Sequence, residues 1–142
     1  MIEDLERDGL ISRIGPDPNR VKEALALARR DLGVARSLLA SSSDWAFTVA
    51  YNAILQAGRA LMFSKGYRPA GSNQHISVVR FCEEFFSRDD ILWFERMRRK
   101  RHQSVYDSAG SVSEREAENA VGKAEEIVRT VESLIAPEAD PG

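Results

Sequence analysis

The chain has 142 residues, of which 43% are hydrophobic and 30% are charged, so one globular domain with its own core is expected. No apolar run nears the roughly 20 residues that cross a bilayer, and the lone Cys82 cannot form an internal disulfide, which together predict a cytoplasmic protein. The net charge is −2, yet residues 96–101 carry five cations; this asymmetry excludes a uniformly basic protein and predicts a localised anion site.

Hydrophobic periodicity and capping residues predict five helices and no strand. Asp17 and Pro18 are typical of the start of a helix, and Gly66 is typical of a helix end that leads into a loop reaching Asn73. Ser113 and Glu116 have the spacing of a capping box. The predicted helices cover about residues 18–40, 45–65, 74–87, 89–107 and 114–135.

Short connections between these helices favour antiparallel neighbours. We therefore predict an all-α, up-and-down bundle of four to five antiparallel helices, in which the second helix is rich in small residues that permit close packing. The domain is predicted to cover residues 1–142, with a core over about 18–135 and flexible termini. Pro137 is predicted to stop the last helix.

Residues 96–106 read Arg-Met-Arg-Arg-Lys-Arg-His-Gln-Ser-Val-Tyr and are the place where cations adjoin a histidine. Arginine offers a planar fork that fits phosphate oxygens, and imidazole is a candidate general base because it titrates near neutrality. At about 100° per residue, Arg98, His102 and Tyr106 share one helix face, whereas Arg101 lies about 140° from Tyr106. Those two can share a site only if the helix is distorted or if a second subunit closes the site.

Structural roles are the alternative for each of these residues. An arginine run is commonly a solvated helix face balanced by acids such as Glu95, and a histidine and a tyrosine four apart commonly form a packing pair. His75 is predicted to be structural and Cys82 to lie in the core. Neither the spacing of a metal site nor a nucleotide-binding loop occurs, so no metal and no cofactor is predicted.

Two segments carry a resemblance to a known family. The first, over 45–61, reads Trp-Ala-Phe-Thr-Val-Ala-Tyr-Asn-Ala-Ile-Leu-Gln-Ala-Gly-Arg-Ala-Leu and is followed by Lys-Gly-Tyr-Arg-Pro at 65–69 and by His75. The second, over 97–107, reads Met-Arg-Arg-Lys-Arg-His-Gln-Ser-Val-Tyr-Asp. In this order in an all-helical chain, they resemble the HEPN superfamily (higher eukaryotes and prokaryotes nucleotide-binding domain) over roughly residues 18–135.

The resemblance implies a homodimeric bundle that binds RNA or a nucleotide. Many members are metal-independent ribonucleases, often toxins paired with a nucleotidyltransferase-type antitoxin. Their signature is an arginine, four to six residues and a histidine, in a cleft where two subunits meet. Arg96 and His102 satisfy this spacing, whereas the commoner register begins at Arg101 and has Tyr106 at the histidine position.

The leading hypothesis is therefore an RNA- or nucleotide-binding protein which, if active, is a metal-independent ribonuclease. Catalytic roles are implied for His102, Arg101 and Tyr106. Two alternatives remain open: a non-catalytic binding module that partners a nucleotidyltransferase, and a structural oligomerisation bundle. The side chains predicted to contact RNA or a nucleotide are Arg96, Arg98, Arg99 and Lys100.

Overall fold

The computed structural model describes residues 2–107 and 109–139, and the fold is the predicted all-α helical bundle. A short antiparallel pair of strands, β1 (Ile11–Arg13) and β2 (Tyr67–Pro69), lies beside it. No helix in the described part of the chain has both the length and the apolar character needed to cross a membrane. The helices are α1 (Ile2–Arg7), α2 (Pro18–Leu38), α3 (Ser43–Ser64), α4 (Gln74–Cys82), α5 (Arg88–His102) and α6 (Glu114–Ala139).

Side chains cap most of these helices in the way the sequence indicates. Asp17 accepts a hydrogen bond from the Arg20 amide at the start of α2, with Pro18 at the first helical position. The capping box before α6 is confirmed, because the Ser113 amide donates to Glu116 at 3.1 Å and the Glu116 amide donates to Ser113 at 3.1 Å. These caps fix the ends of the two long helices that flank α3.

Helix α3 is the centre of the bundle, with α2, α4, α5 and α6 packed around it. Its small residues allow this close approach, as the sequence predicts. Gly58 is the tightest point, because a Cβ at this position would lie only 2.5 Å from Val78 Cγ1 on α4. Larger side chains of α3 fill the space between the helices, and Tyr51, Ile54, Leu61 and Met62 are completely buried.

The N-terminal residues differ from the prediction of a flexible terminus and no strand. Leu5 of α1 and Ile11 of β1 are 3% and 2% exposed, so this segment belongs to the core. The strands pair Ile11 with Pro69 and Arg13 with Tyr67. Strands of three residues are too short to produce a detectable alternation of polar and apolar residues, which is why the sequence does not reveal them.

Two helix ends also differ from the prediction. Helix α4 ends at Cys82 rather than near residue 87, and turns occupy the interval before α5. Helix α6 does not stop before Pro137 but continues to Ala139. This proline removes one backbone donor, and only two residues of the helix follow it. The predicted flexible tail at 140–142 lies outside the described residues.

Candidate anion-binding cleft

Helix α5 distributes the predicted basic residues around its circumference. Phe94 and Met97 are fully buried and face the core, so the charged residues that follow them point sideways and outward. Arg98 lies on the flank nearest α4, whereas Arg96 and Lys100 lie on the flank nearest α6. The basic stretch is therefore divided between two different surfaces.

On the α4 side, a cleft of about 220 Å³ opens between the start of α4 and the end of α5. None of the described residues that line it is a carboxylate. Its two arginines give it a positive character, which favours anions. Its described lining residues are Asn73, His75, Arg98, Arg101, His102 and Tyr106.

A π-helical turn over Gln103–Asp107 continues α5 and brings Arg101 to Tyr106. The regular helix predicted from sequence would separate these residues by about 140°. In a π turn the backbone bonds residue i to i+5, so residues five apart approach the same face. The Arg101 guanidinium lies 5.8 Å from the centre of the Tyr106 ring of the same chain. Of the two routes that sequence analysis leaves open, the structure therefore contains the helix distortion.

Aromatic rings surround Arg101 in the cleft. Its guanidinium lies 6.0 Å from the centre of the buried Tyr51 ring, and the rings of His102 and Tyr106 are 4.9 Å apart. The Arg101 Nε atom is buried and has no hydrogen-bond partner among the described residues. An unpaired buried donor on a charged group is uncommon in proteins, because it costs free energy unless water or a ligand satisfies it.

Arg98 is held differently. Its guanidinium donates two hydrogen bonds, of 3.1 and 2.7 Å, to the Glu95 carboxylate. The hydrogen bond from Arg98 lowers the pKa of Glu95, and the same bond raises the pKa of Arg98. This pairing fixes the arginine at the edge of the cleft but compensates part of its charge.

The remaining predicted contact residues lie outside this cleft. Arg99 is exposed and lies 3.8 Å from Glu95. Lys100 pairs with Glu116 of α6 at 3.6 Å, and the Arg96 guanidinium lies 5.5 Å from the Trp93 ring. Arg96 and Lys100 line a second cavity of about 340 Å³ against α6. The structure thus joins Arg98, Arg101, His102 and Tyr106 and separates them from Arg96, Arg99 and Lys100.

Two lining residues, Asn73 and His75, come from outside the basic stretch, and Tyr51 lies beneath them; sequence reasoning assigns none of the three to the site. Tyr51, from α3, is fully buried beneath the cleft, and its hydroxyl lies 3.0 Å from His75 Nδ1. Asn73 caps α4, and His75 is the second residue of that helix. Burial, together with Arg101, Arg98 and Arg59, lowers the pKa of His75. The hydrogen bond to Tyr51 agrees with the predicted structural role of His75. The imidazole also lines the cleft.

Hydrogen bonds at Ala70 link the short sheet to the helical turn that carries His75. The Ala70 amide, just after β2, donates to the Leu10 carbonyl at 2.9 Å. The Ser77 hydroxyl of α4 donates in turn to the Ala70 carbonyl at 2.9 Å. The first turn of α4, which carries His75, is therefore attached to the N-terminal strand.

The single cysteine is not part of the cleft. Cys82 is completely buried against α3, and burial raises the pKa of its thiol, so the predicted core role is confirmed. Within the described ranges, no group of three histidine, cysteine, aspartate or glutamate side chains has the arrangement of a metal site.

Two solved structures are similar to the chain along most of their length. One is the crystal structure of TT1696 from Thermus thermophilus, with a TM-score of 0.67 and 20% identity, covering 81% of this chain and 98% of that one. The other is ST0689, an archaeal HEPN homologue, with a TM-score of 0.63 and 18% identity, covering 81% of this chain and 97% of that one. At these identities the likeness shows the fold.

A comparison with curated proteins finds no match. The model of the HEPN domain family, in contrast, matches residues 21–134, which include every helix that forms the cleft. The match covers most of the sequence and agrees with the fold. The chain therefore belongs to the HEPN domain family.

Proposed function

We propose that this HEPN protein binds RNA and holds a backbone phosphate in the cleft between α4 and the end of α5. The observation that carries the proposal is the described lining, which combines two arginines, two histidines, a tyrosine and an asparagine without a carboxylate. Arginine forks match the oxygens of a phosphodiester, and an exposed aromatic ring offers a surface on which a base stacks. Tyr106 is 64% exposed and is the ring best placed for that contact.

The proposed reaction is cleavage of RNA without a metal ion. His102 removes the proton of a ribose 2′-hydroxyl, and the 2′ oxygen then attacks the adjacent phosphorus. The bond from phosphorus to O5′ breaks, a 2′,3′-cyclic phosphate forms, and the leaving oxygen takes a proton from water. Arg101 and Arg98 stabilise the charge that develops on the phosphorane, while Tyr106 positions the substrate.

The test is incubation of purified protein with RNA in EDTA. Wild-type protein should produce 2′,3′-cyclic ends, and His102→Ala should reduce the cleavage rate by roughly 10²–10⁴-fold while RNA binding is largely retained. Arg101→Ala should weaken both binding and cleavage. Arg129→Ala, which removes an exposed cation of α6 outside the described cleft lining, is the matched control. Cleavage that persists in His102→Ala would contradict the proposed base.

A non-catalytic binding module is the second candidate function. The observation that favours it is the π turn, which brings Arg101 to a phenol, Tyr106, where the commoner register has the catalytic histidine. In that case the same cleft binds RNA or a nucleotide and performs no proton transfer. Wild-type and His102→Ala proteins would then bind RNA equally, and neither would cleave it at high protein concentration.

The proposal includes a homodimer. Exposed apolar and aromatic side chains support it: Leu92 lies in the first half of α5, and Val105 and Tyr106 lie in the π turn that follows it. Light scattering that returns the mass of a single chain would exclude the dimer. A toxin role and a nucleotidyltransferase-type antitoxin rest on the family alone, and co-expression with the gene product next to this one on the chromosome tests both.

A further inference from the structure

The contact between Tyr51 and His75 determines which ring nitrogen of the histidine carries a proton. The Tyr51 hydroxyl is fully buried, and burial raises its pKa, so the phenol keeps its proton. In the described part of the chain its hydrogen-bond partner is His75 Nδ1, at 3.0 Å. A buried hydroxyl must give its proton to an acceptor or lose the energy of that bond. The hydroxyl therefore donates to Nδ1.

A neutral imidazole that accepts at Nδ1 carries its proton on Nε2. The charges that face His75 favour this uncharged form: Arg98 and Arg101 lie on α5, and Arg59 lies on α3. Nε2 makes no hydrogen bond to any residue that the structure describes, and the imidazole borders the cleft that also contains both arginines of α5. The ring thus holds an N–H donor at the wall of a cationic cleft.

We propose that His75 contacts the substrate as a neutral imidazole and donates a hydrogen bond from Nε2 to a non-bridging oxygen of the bound phosphodiester. Tyr51 is a positioning residue, which holds the imidazole in the Nε2-protonated tautomer. This inference rests on the proposed function, since it assigns a contact to the same RNA phosphate. The two histidines then have different tasks: His102 transfers a proton, whereas His75 keeps its proton and fixes the phosphate.

This arrangement has a physical advantage over a third cation. A donor that is oriented before the substrate arrives needs no reorganisation when charge develops on the phosphate. The arginines already supply the positive charge, and a neutral N–H adds direction without further repulsion among the cationic side chains. The buried phenol is a suitable positioning group, because its ring is packed between α3, α4 and α5 and its hydroxyl meets Nδ1.

The tautomer is measured in the free protein, so this test is independent of RNA. The ¹⁵N chemical shifts of imidazole distinguish a protonated from an unprotonated ring nitrogen, and the chain has two histidines, so His102→Ala assigns the signals. At neutral pH we expect an unprotonated Nδ1 and a protonated Nε2 for His75. Tyr51→Phe keeps the ring but removes the donor, and should give shifts of mixed tautomers. A protonated Nδ1 in the wild type would overturn the inference.

The contact itself is measured with an RNA oligonucleotide that carries 2′-O-methyl groups and cannot be cleaved. We expect its addition to shift the Nε2 proton signal of His75. His75→Leu should weaken binding on the order of tenfold, whereas His75→Gln retains an N–H donor and should lose much less. Circular dichroism checks that both variants fold. If one variant does not fold, the Nε2 signal of the wild type and Tyr51→Phe decide the question.

The outcomes separate this inference from the proposed function. If Arg101→Ala loses RNA binding but His75→Leu binds as the wild type does, the cleft binds RNA and His75 does not contact it. If the wild type binds no RNA, the proposed function fails together with the substrate contact, while the ¹⁵N shifts still report whether Tyr51 sets the tautomer.

Discussion

Gly58 determines how closely two helices approach beneath the cleft. A Cβ at this position would lie 2.5 Å from Val78 Cγ1 and 3.1 Å from Cys82 Sγ, both on α4. The first of these distances is far inside van der Waals contact, so the Val78 side chain or α4 itself would have to move. Because α4 carries His75, the absence of a side chain at Gly58 affects the cleft as well as the core.

We expect Gly58→Ala to lower the free energy of unfolding by about 1–3 kcal/mol, the common cost of overpacking a core. Gly122→Ala in α6 is the matched control, because an added Cβ there has no atom within 4 Å. That control should raise stability by about 0.5–1 kcal/mol, since alanine favours the helix. Urea unfolding of both variants measures the difference, and equal shifts would contradict the close approach.

His75 should also make stability depend on pH. Its pKa is lowered in the folded protein from the ordinary value of 6.5, so the unfolded chain binds more protons as the pH falls below that value. The stability is therefore complete above about pH 6.5 and declines as the pH falls towards the pKa of the folded state. We expect His75→Gln to lack this decline. Urea unfolding between pH 5 and pH 8 measures it, and parallel curves for wild type and variant would exclude this linkage.

At this scale the sequence predicts part of the cleft. Arg98, Arg101, His102 and Tyr106 stand close together in the chain, so a charge pattern on one helix reveals them. Tyr51 and His75 are 24 residues apart, and their hydrogen bond requires the packing of α4 on α3. Buried tyrosines are common on the apolar faces of helices and most of them have no catalytic or binding role. The residues next to Tyr51 in the sequence therefore do not identify it as part of a site.

At the scale of elements, α5 separates positive charges that are contiguous in the sequence. One flank places Arg98 and Arg101 in the cleft, where the described lining has no carboxylate. The other flank places Arg96 and Lys100 near Glu116, which lies 3.6 Å from the lysine. Equal losses of charge on the two flanks should therefore have unequal effects on RNA binding.

We expect Arg98→Gln/Arg101→Gln to weaken RNA binding more than Arg96→Gln/Lys100→Gln, although each pair removes two charges. Each lost phosphate contact should reduce the slope of log affinity against log salt by about 0.7 for single-stranded RNA. Fluorescence anisotropy across a salt series gives both quantities. Equal slopes for the two double variants would show that the charges act together and that the cleft has no special role.

Periodicity predicts where the long helices lie but not the π turn at the end of α5. The spacing of apolar residues records which face of a helix is buried. Beyond Met97 the run of charged residues gives no such record, so the extra backbone residue of the π turn has no signature. A regular helix separates Arg101 from Tyr106, and the π turn is the distortion, left open by the sequence, that brings them together.

At the scale of the whole molecule, the N-terminal segment is part of the bundle and reaches the cleft through β1 and β2. Ile11 is 2% exposed, and its strand pairs with the segment that precedes α4. Short elements of this kind are stabilised by tertiary contacts and not by local propensity, so a single sequence does not reveal them.

We expect Ile11→Ala to lower the free energy of unfolding by about 2–5 kcal/mol, the range for truncating a buried isoleucine. Ile14→Ala is the control, because that side chain is 40% exposed and its truncation should change stability by about 0.5 kcal/mol or less. Thermal unfolding of both variants tests this. If Ile11→Ala has the same unfolding temperature as the wild type, the N-terminal strand does not belong to the unit that unfolds cooperatively.

The π turn of Gln103–Asp107 has a consequence for how motifs in such helices are compared. A sequence motif is defined by the number of residues between its members, whereas ligand binding depends on the positions of their side chains in space. One added backbone unit lets an arginine and an aromatic residue five positions apart meet as residues four apart do in a regular helix. Two proteins with motifs of different length can therefore present the same surface, and two with identical spacing can present different ones. Structural alignment of these motifs by the positions of their side chains will group the proteins differently from sequence alignment.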